Sequence, residues 1–544
     1  MKSLFLTLLL LISTSISAQT AQVTDEKLEF DLKQLAHTFD DLKLEVLPLK
    51  DRGRLKPLET LSRENNIYLT GKKSLFGLSP VSFFMAMNLF KDSSLIKVVN
   101  IRNTDLRELL KLDKGRTLFS LDEIEKTDIS TLASGASEVE KKSKNLLTPI
   151  QSAELEVMNQ VYLLKSIQTG DQLFAGLVYE ENDNKNAMQS AMQNLLVSIS
   201  SSQTSDVIKK WSQELISASM TAKVNKQFIN QRERMALEVT YVKSMPFFWA
   251  GLIYFVISFI CFLPFSKNII SDNGLSLVMI FPLLMLAIGF AIRVYITEFP
   301  PVTNMYGTMI WVSFGISLFS YIFYVIYKDR NILAIMALGA ALLILLTENI
   351  PLIISPSMDP IVAVLRSSYW LTIHVLTVTI SYAAFSMAML LGNIFMIKSL
   401  LGKMDSEQVK RFSHYAYRSI QLGVLLLTAG IILGGVWADY SWGRFWGWDP
   451  KETWALIADL GFLALLHGRF AGWISPIRLL ILSPLSYILV IMAWFGVNFV
   501  LATGLHSYGF STGGTFMVIS SVLAQLLLSA LYYSKSLLPA RKIS

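Results

Sequence analysis

The chain has 544 residues, 52% of them hydrophobic and only 16% charged, which is too apolar for a soluble protein of several domains and points to a polytopic membrane protein with a soluble part. A single cysteine, Cys261, excludes an internal disulfide and an internal thiol relay. The net charge of +7 does not mark a nucleic-acid binder, because the lysines and arginines gather on one set of loops between apolar runs, as membrane topology requires.

In chain order, the opening MKSLFLTLLLLISTSISAQT carries one lysine, an apolar core and a small-residue end, the pattern of a secretory signal with cleavage after Ala18; an uncleaved anchor is the alternative. Residues 19–243 are mixed and polar, and read as a mostly helical exported domain, with the amphipathic stretch AELEVMNQVYLLKSI and a turn-prone connection at ISSSQTSD. Within it, LPLKDRGRLKPLETLSREN sets Arg52, Arg54, Lys56 and Arg63 beside Gly53 and Pro57. Such a basic turn suits an anion or a partner, but a solvated loop packing on neighbouring helices is the plainer reading.

Residues 244–544 change character to apolar runs of membrane-spanning length. Nine are expected, at 246–264, 275–297, 306–327, 331–347, 371–397, 419–437, 453–470, 480–501 and 515–534. With the N-terminal domain exported, alternate loops are cytoplasmic, and these hold Lys328, Arg330, Lys398, Lys403, Arg411, Arg418, Arg469 and Arg478, as the positive-inside rule demands. The C-terminus is then cytoplasmic as well. The opposite loops carry the unusual residues: PPVTNMYG, a stretch broken by Pro351, Pro356 and Pro360 that reads as a short re-entrant or interfacial segment, a tryptophan-rich run, and TGLHSYGFSTGGT.

The tryptophan-rich run, WADYSWGRFWGWDPKETW at 437–454, holds five of the chain's eleven tryptophans: Trp437, Trp442, Trp446, Trp448 and Trp454. Between two apolar spans it predicts an external loop forming an aromatic shelf, with Asp439, Arg444, Asp449, Lys451 and Glu452 as its charges. That suits a large, flat, partly charged ligand. His374 begins one span and His506 follows another, both at the external edge, so two imidazoles flank the shelf at one depth and fit the axial positions of a haem iron. His467 lies thirteen residues beyond Trp454, roughly 20 Å deeper. It is a candidate intramembrane site or a plain hydrogen-bonded histidine near the other interface. His414, in KRFSHYAYRS, reads as solvated, and neither it nor His37 is assigned a role.

The string WGRFWGWDPKETW resembles the tryptophan-rich WWD signature of the haem-handling membrane proteins, whose branches include CcmC, CcmF and CcsA. His374 in LTIHVLTVTISYAAF, the upstream PPVTNMYG and His506 in GLHSYG resemble the CcsA branch, the cytochrome c synthetase component of System II; the resemblance covers about residues 245–535. It implies that His374 and His506 hold haem iron on the external face, that Trp442, Trp446, Trp448 and Asp449 belong to the haem-binding loop with Trp454 beside it, and that His467 belongs to an inner haem site. No other histidine falls in an expected span, so the second ligand there must come from another chain, for which a ResB-type (CcsB) membrane partner is the natural candidate.

The reaction the resemblance implies is attachment of haem b to a Cys-x-x-Cys-His segment of apocytochrome c, at the bacterial inner membrane. The chain would act as the haem-binding component of a holocytochrome c synthase, supplying geometry more than acid–base groups. Arg444 and Lys451 are the nearest cations for the haem propionates, unless Asp449 or Glu452 pairs with them, and Asp449 before Pro450 reads as a brace for the loop. Two other readings remain: a protein that exports or presents haem without ligating it, and a solute or ion transporter whose tryptophans form an interfacial belt.

Overall fold

Helix dominates the chain, and the only strands among the described residues form two short two-stranded antiparallel sheets. The structure is a computed structural model that describes residues 25–142, 147–177, 185–222, 226–263, 266–360, 368–501 and 514–537. The expected signal sequence at 1–18 and the segment carrying His506 lie outside these residues. The chain divides into two compact units between Lys243 and Ser244.

In the N-terminal unit, β1 (Pro48–Asp51) and β2 (Arg54–Pro57) pair around Arg52 and Gly53, whose φ angles of 44° and 84° are the positive values a tight two-residue hairpin turn needs. α1 (Leu58–Thr70) follows directly. α2 (Pro149–Gln168) starts at a reciprocal cap, in which Thr148 accepts from the Gln151 amide while Gln151 accepts from that of Thr148. α3 (Lys185–Ser200) and α4 (Ser205–Thr221) are joined by the expected serine-rich turn, and α5 (Met235–Ser244) closes the unit. The apolar core gathers Leu32, Leu47, Phe84, Val98, Phe119 and Leu164.

The basic turn is not a solvated loop. Arg54 and Lys56 are 0% exposed. Arg54 meets Glu238 of α5 through two parallel bonds of 2.8 and 2.9 Å, and Thr60 donates to the same carboxylate at 2.9 Å. Lys56 lies 2.8 Å from both Asp51 and Glu64. All four residues of β2 are buried, so both faces of the strand are covered, and on the face that residues 54 and 56 share, carboxylates from elsewhere in the unit neutralise the two cations.

The second unit is a helical membrane domain built from α6 (Pro246–Phe262), α7 (Asp272–Thr297), α8 (Met305–Tyr327), α9 (Arg330–Asn349), α10 (Ser368–Leu400), α11 (Ser406–Trp442), α12 (Pro450–Phe470), α13 (Pro476–Ile491), a π-helical segment (Met492–Leu501) and α14 (Gly514–Leu537). Among the described residues, eight helices are long and apolar enough to cross a membrane, so the chain is a multi-pass membrane protein. The seventh expected span, 453–470, is the helix α12; Asp459, His467 and Arg469 leave it less apolar than these eight.

Two sequence expectations change here. α11 begins at Ser406, so KRFSHYAYRS is helical; His414 is exposed there and also lies 3.3 Å from the Tyr327 hydroxyl on α8. The proline-broken stretch shows no helix among its described residues: 351–360 is turn and extended chain, and 361–367 falls outside them. Asn304 ties this stretch down, donating to the carbonyls of Ser357 at 2.8 Å and Ser355 at 3.2 Å while its Oδ1 caps α8.

α10 and α11 run antiparallel and touch through glycines. A Cβ on Gly423, Gly430 or Gly434 would fall within 2.5 to 2.6 Å of Phe385, Val378 or His374 respectively. The spacing of these positions on α11 mirrors that of their partners on α10, so the absence of side chains lets the helices close together and seats the His374 imidazole directly against backbone.

Candidate functional site

The tryptophan-rich run is not one flat loop. α11 continues to Trp442, and Gly443, at φ 71°, ends it by donating its amide to the Asp439 carbonyl at 2.8 Å. α12 begins at Pro450, so only residues 443–449 form the connection. Its far end is set by DPKE: Asp449 accepts from the Lys451 amide at 3.0 Å, Pro450 takes the first helical position, and Glu452 reaches back to the Asp449 amide at 3.2 Å and the Gly447 amide at 2.8 Å. Helix start and loop shape therefore come from the same four residues. Trp448 adopts a left-handed φ of 56°, which costs a non-glycine residue roughly 1–2 kcal/mol and is held in place by the capped helix behind it.

Between these elements lies a cavity of about 220 Å³. One wall is α10, where His374, Val378 and Tyr382 recur every four residues along a single face. α11 contributes Gly434 and Trp437, the connection contributes Phe445 and Trp446, and α12 contributes Lys451, Glu452 and Ala455. Asn304 at the cap of α8 and Thr308 on it, with Trp494 and Asn498 of the π-helical segment, add to the lining.

His374 is half-buried, and its Nδ1 lies 2.8 Å from the Gly430 carbonyl oxygen. A carbonyl only accepts, so Nδ1 carries the proton and Nε2 carries the lone pair. A backbone carbonyl behind the imidazole is the arrangement that fixes the tautomer and orientation of metal-ligating histidines. The ring lies nearly parallel to Trp437, at 9° with centroids 6.1 Å apart, and Trp437 meets Trp442 edge-on at 4.6 Å. Trp437 is fully buried, so it braces the histidine instead of forming an open shelf.

Two cations were candidates for an anionic ligand, and the structure separates them. Arg444 faces Glu452 at 3.5 Å and lies 5.5 Å over the Trp442 ring. Lys451 lines the cavity and has no ion-pair partner within 4 Å among the described residues. Burial pushes its ammonium down to about 8, against the opposing pull of the Asp449 carboxylate.

Of the expected site residues, His374 and Trp446 meet in the cavity. Trp442 stands behind Trp437, and Trp448, 70% exposed, packs edge-on against Trp446 at 5.7 Å. Asp449 is the helix cap, and Trp454 is half-buried on α12 without lining the cavity. His467 is exposed on α12, its Nδ1 2.8 Å from the Leu463 carbonyl, and no cluster of three metal-binding side chains occurs among the described residues. His506 lies outside the described residues. Sequence reasoning missed Tyr382, Trp494, Asn498 and Gly434; a polar asparagine in an otherwise apolar span was the one signal available.

A family model described as "Cytochrome C assembly protein" matches residues 302–506, from a residue lining the cavity to the histidine expected opposite it. The chain is 30% identical over 304 residues to the cytochrome c biogenesis protein CcsA of Trieres chinensis, covering 49% of this chain and 93% of that protein. It is 32% identical over 277 residues to CcsA of Prochlorococcus marinus strain MIT 9301, covering 45% and 87%. It is also 35% identical over 229 residues to protein NrfI of Wolinella succinogenes, a match that spans 41% of this chain and about a quarter (24%) of that longer protein.

Proposed function

The chain belongs to the CcsA family of cytochrome c biogenesis proteins, and from that premise we propose that its cleft holds haem for covalent attachment to apocytochrome c. The observation that carries this reading is His374: its Nδ1 lies 2.8 Å from the Gly430 carbonyl, the orienting contact of an iron-ligating imidazole, in a cleft lined by indoles and a lysine. His506 supplies the opposite axial ligand, and the stretch from Trp442 to Asp449 forms the rim. Haem b is the substrate, with Lys451 at a propionate and Arg444 kept by Glu452.

In the reaction, each cysteine thiol of a Cys-x-x-Cys-His segment adds across a haem vinyl group. Sulfur bonds to one vinyl carbon and the proton ends on the other, so the step needs no leaving group and no net oxidant. The protein's contribution is to hold the ring while the peptide arrives, which removes much of the entropic cost of the encounter. The substrate's histidine then replaces an axial ligand from this chain and the product leaves. The N-terminal unit and the cleft face the outside of a bacterial inner membrane in this reading, and His467, whose Nε2 lone pair is exposed, shares an inner haem with a ResB-type (CcsB) partner.

Purified full-length protein is expected to carry the absorbance of six-coordinate haem. His374→Ala should lose it at the cleft, and added imidazole should restore it; an unchanged spectrum in that variant would remove the reading. His467→Ala should leave the cleft spectrum intact and lose haem only in the presence of the partner. Thioether product formed from apocytochrome separates attachment from mere haem presentation.

Lys451 adds a pH signature. Its free-protein value near 8 is raised by a bound propionate, so haem affinity falls as pH rises above about 8, where the uncomplexed amine loses its charge. Spectroscopic haem titrations should show this fall in the wild type and a flat profile in Lys451→Met. Equal slopes would assign the propionates elsewhere.

A further inference from the structure

Asn498 is 7% exposed and lines the cleft from the π-helical segment. Its Nδ2 donates to the Trp494 carbonyl at 3.4 Å, while Oδ1 is buried and has no hydrogen-bond donor among the described residues. Turning the amide over would set its oxygen against that of Trp494, so the carbonyl decides which end of the amide is left as an acceptor without a donor. The residue is also held in place: Trp494 is anchored by its indole N–H donating to Thr308 on α8 at 3.0 Å, and its ring packs on Tyr382 at 5.7 Å. π-helical turns are rare and concentrate at functional sites, and a buried acceptor left without a donor persists where a ligand brings one.

The two molecules that meet in this cleft, on the function proposed above, differ in what they offer. Haem brings ionised propionates and a π face, which ask for a cation and for an aromatic wall; Lys451 and Trp446 answer those needs. It brings no N–H donor to its rim. A peptide does, at nearly every residue. We propose that the Asn498 carboxamide oxygen accepts a backbone N–H of the apocytochrome segment and so positions it over the haem held by His374. Asn498 is a positioning residue for the peptide, and this inference rests on the proposed function.

The test uses haem-loaded full-length protein and a synthetic peptide with Ser-x-x-Ser-His in place of Cys-x-x-Cys-His, so that binding is read without bond formation. Asn498→Leu is expected to weaken peptide binding about 3- to 10-fold, the range of one neutral hydrogen bond, with the haem spectrum unchanged. N-methylating the backbone amides between the two serines should weaken binding to the wild type by a similar factor and add nothing in Asn498→Leu. Equal effects of N-methylation in both proteins, or none in the wild type, would overturn the assignment. Loss of haem from Asn498→Leu to the extent seen with Lys451→Met would also overturn it, since the acceptor would then serve the haem. A wild type that takes up no haem at all defeats the proposed function itself.

Discussion

Gly434→Ala is expected to strip haem from the cleft while leaving the helices in place. A Cβ at this position falls 2.5 Å from Cε1 and 2.8 Å from Nδ1 of His374, closer than any real contact, and the imidazole is the movable member of the pair. As it swings away, Nδ1 loses the Gly430 carbonyl and Nε2 loses its aim. Disturbing the group that orients a metal ligand costs about 10- to 100-fold in affinity, and here the ligand itself is displaced, so the upper end of that range is expected. The measurement is haem affinity by absorbance titration, with helix content by circular dichroism as the check on folding. Gly461→Ala is the matched control: its Cβ would meet Leu489 at 2.4 Å, but only the end of a flexible side chain is involved, and neither residue lines the cleft. Unchanged haem affinity in Gly434→Ala would show that the imidazole is not an iron ligand.

Glu238→Ala should produce the largest loss of stability in the N-terminal unit. Arg54 and Glu238 are both 0% exposed and joined by two hydrogen bonds, with Thr60 on the same carboxylate. Removing the acid strands a guanidinium without water, at a cost of roughly 3–5 kcal/mol. For a unit of this size that corresponds to a fall of about 6 to 20 °C in the temperature at which it loses protease resistance. The double variant Arg54→Met, Glu238→Leu should recover most of the loss, because replacing both charges leaves none stranded. If the single and double variants melted together, the cost would come from packing and not from charge.

Much of the fold is legible in the chain because its causes are local. A run of about twenty apolar residues spans a bilayer whatever its neighbours do, so the membrane helices can be placed from composition. The serine-rich turn between α3 and α4 and the start of α12 are equally local, since a cap is made by residues three apart. The same locality was underused in the tryptophan run: the Asp-Pro-Lys-Glu cap already ends the connection at Asp449, and a loop drawn to Trp454 overruns it.

The sequence by itself determined the helical class, the order of the apolar segments and, through its motif, the family. Tertiary structure alone decided what those segments bring together. Arg54 and Glu238 are 184 residues apart, and nothing local announces that a basic turn will be buried against a distant acid. His374, Lys451, Trp494 and Asn498 come from three different stretches of helix, and their meeting depends on how closely α10 and α11 pack, which three glycines without side chains permit. Apolar length and capping are properties of neighbours in the chain; a cleft is a property of neighbours in space, set by which helix faces fit one another.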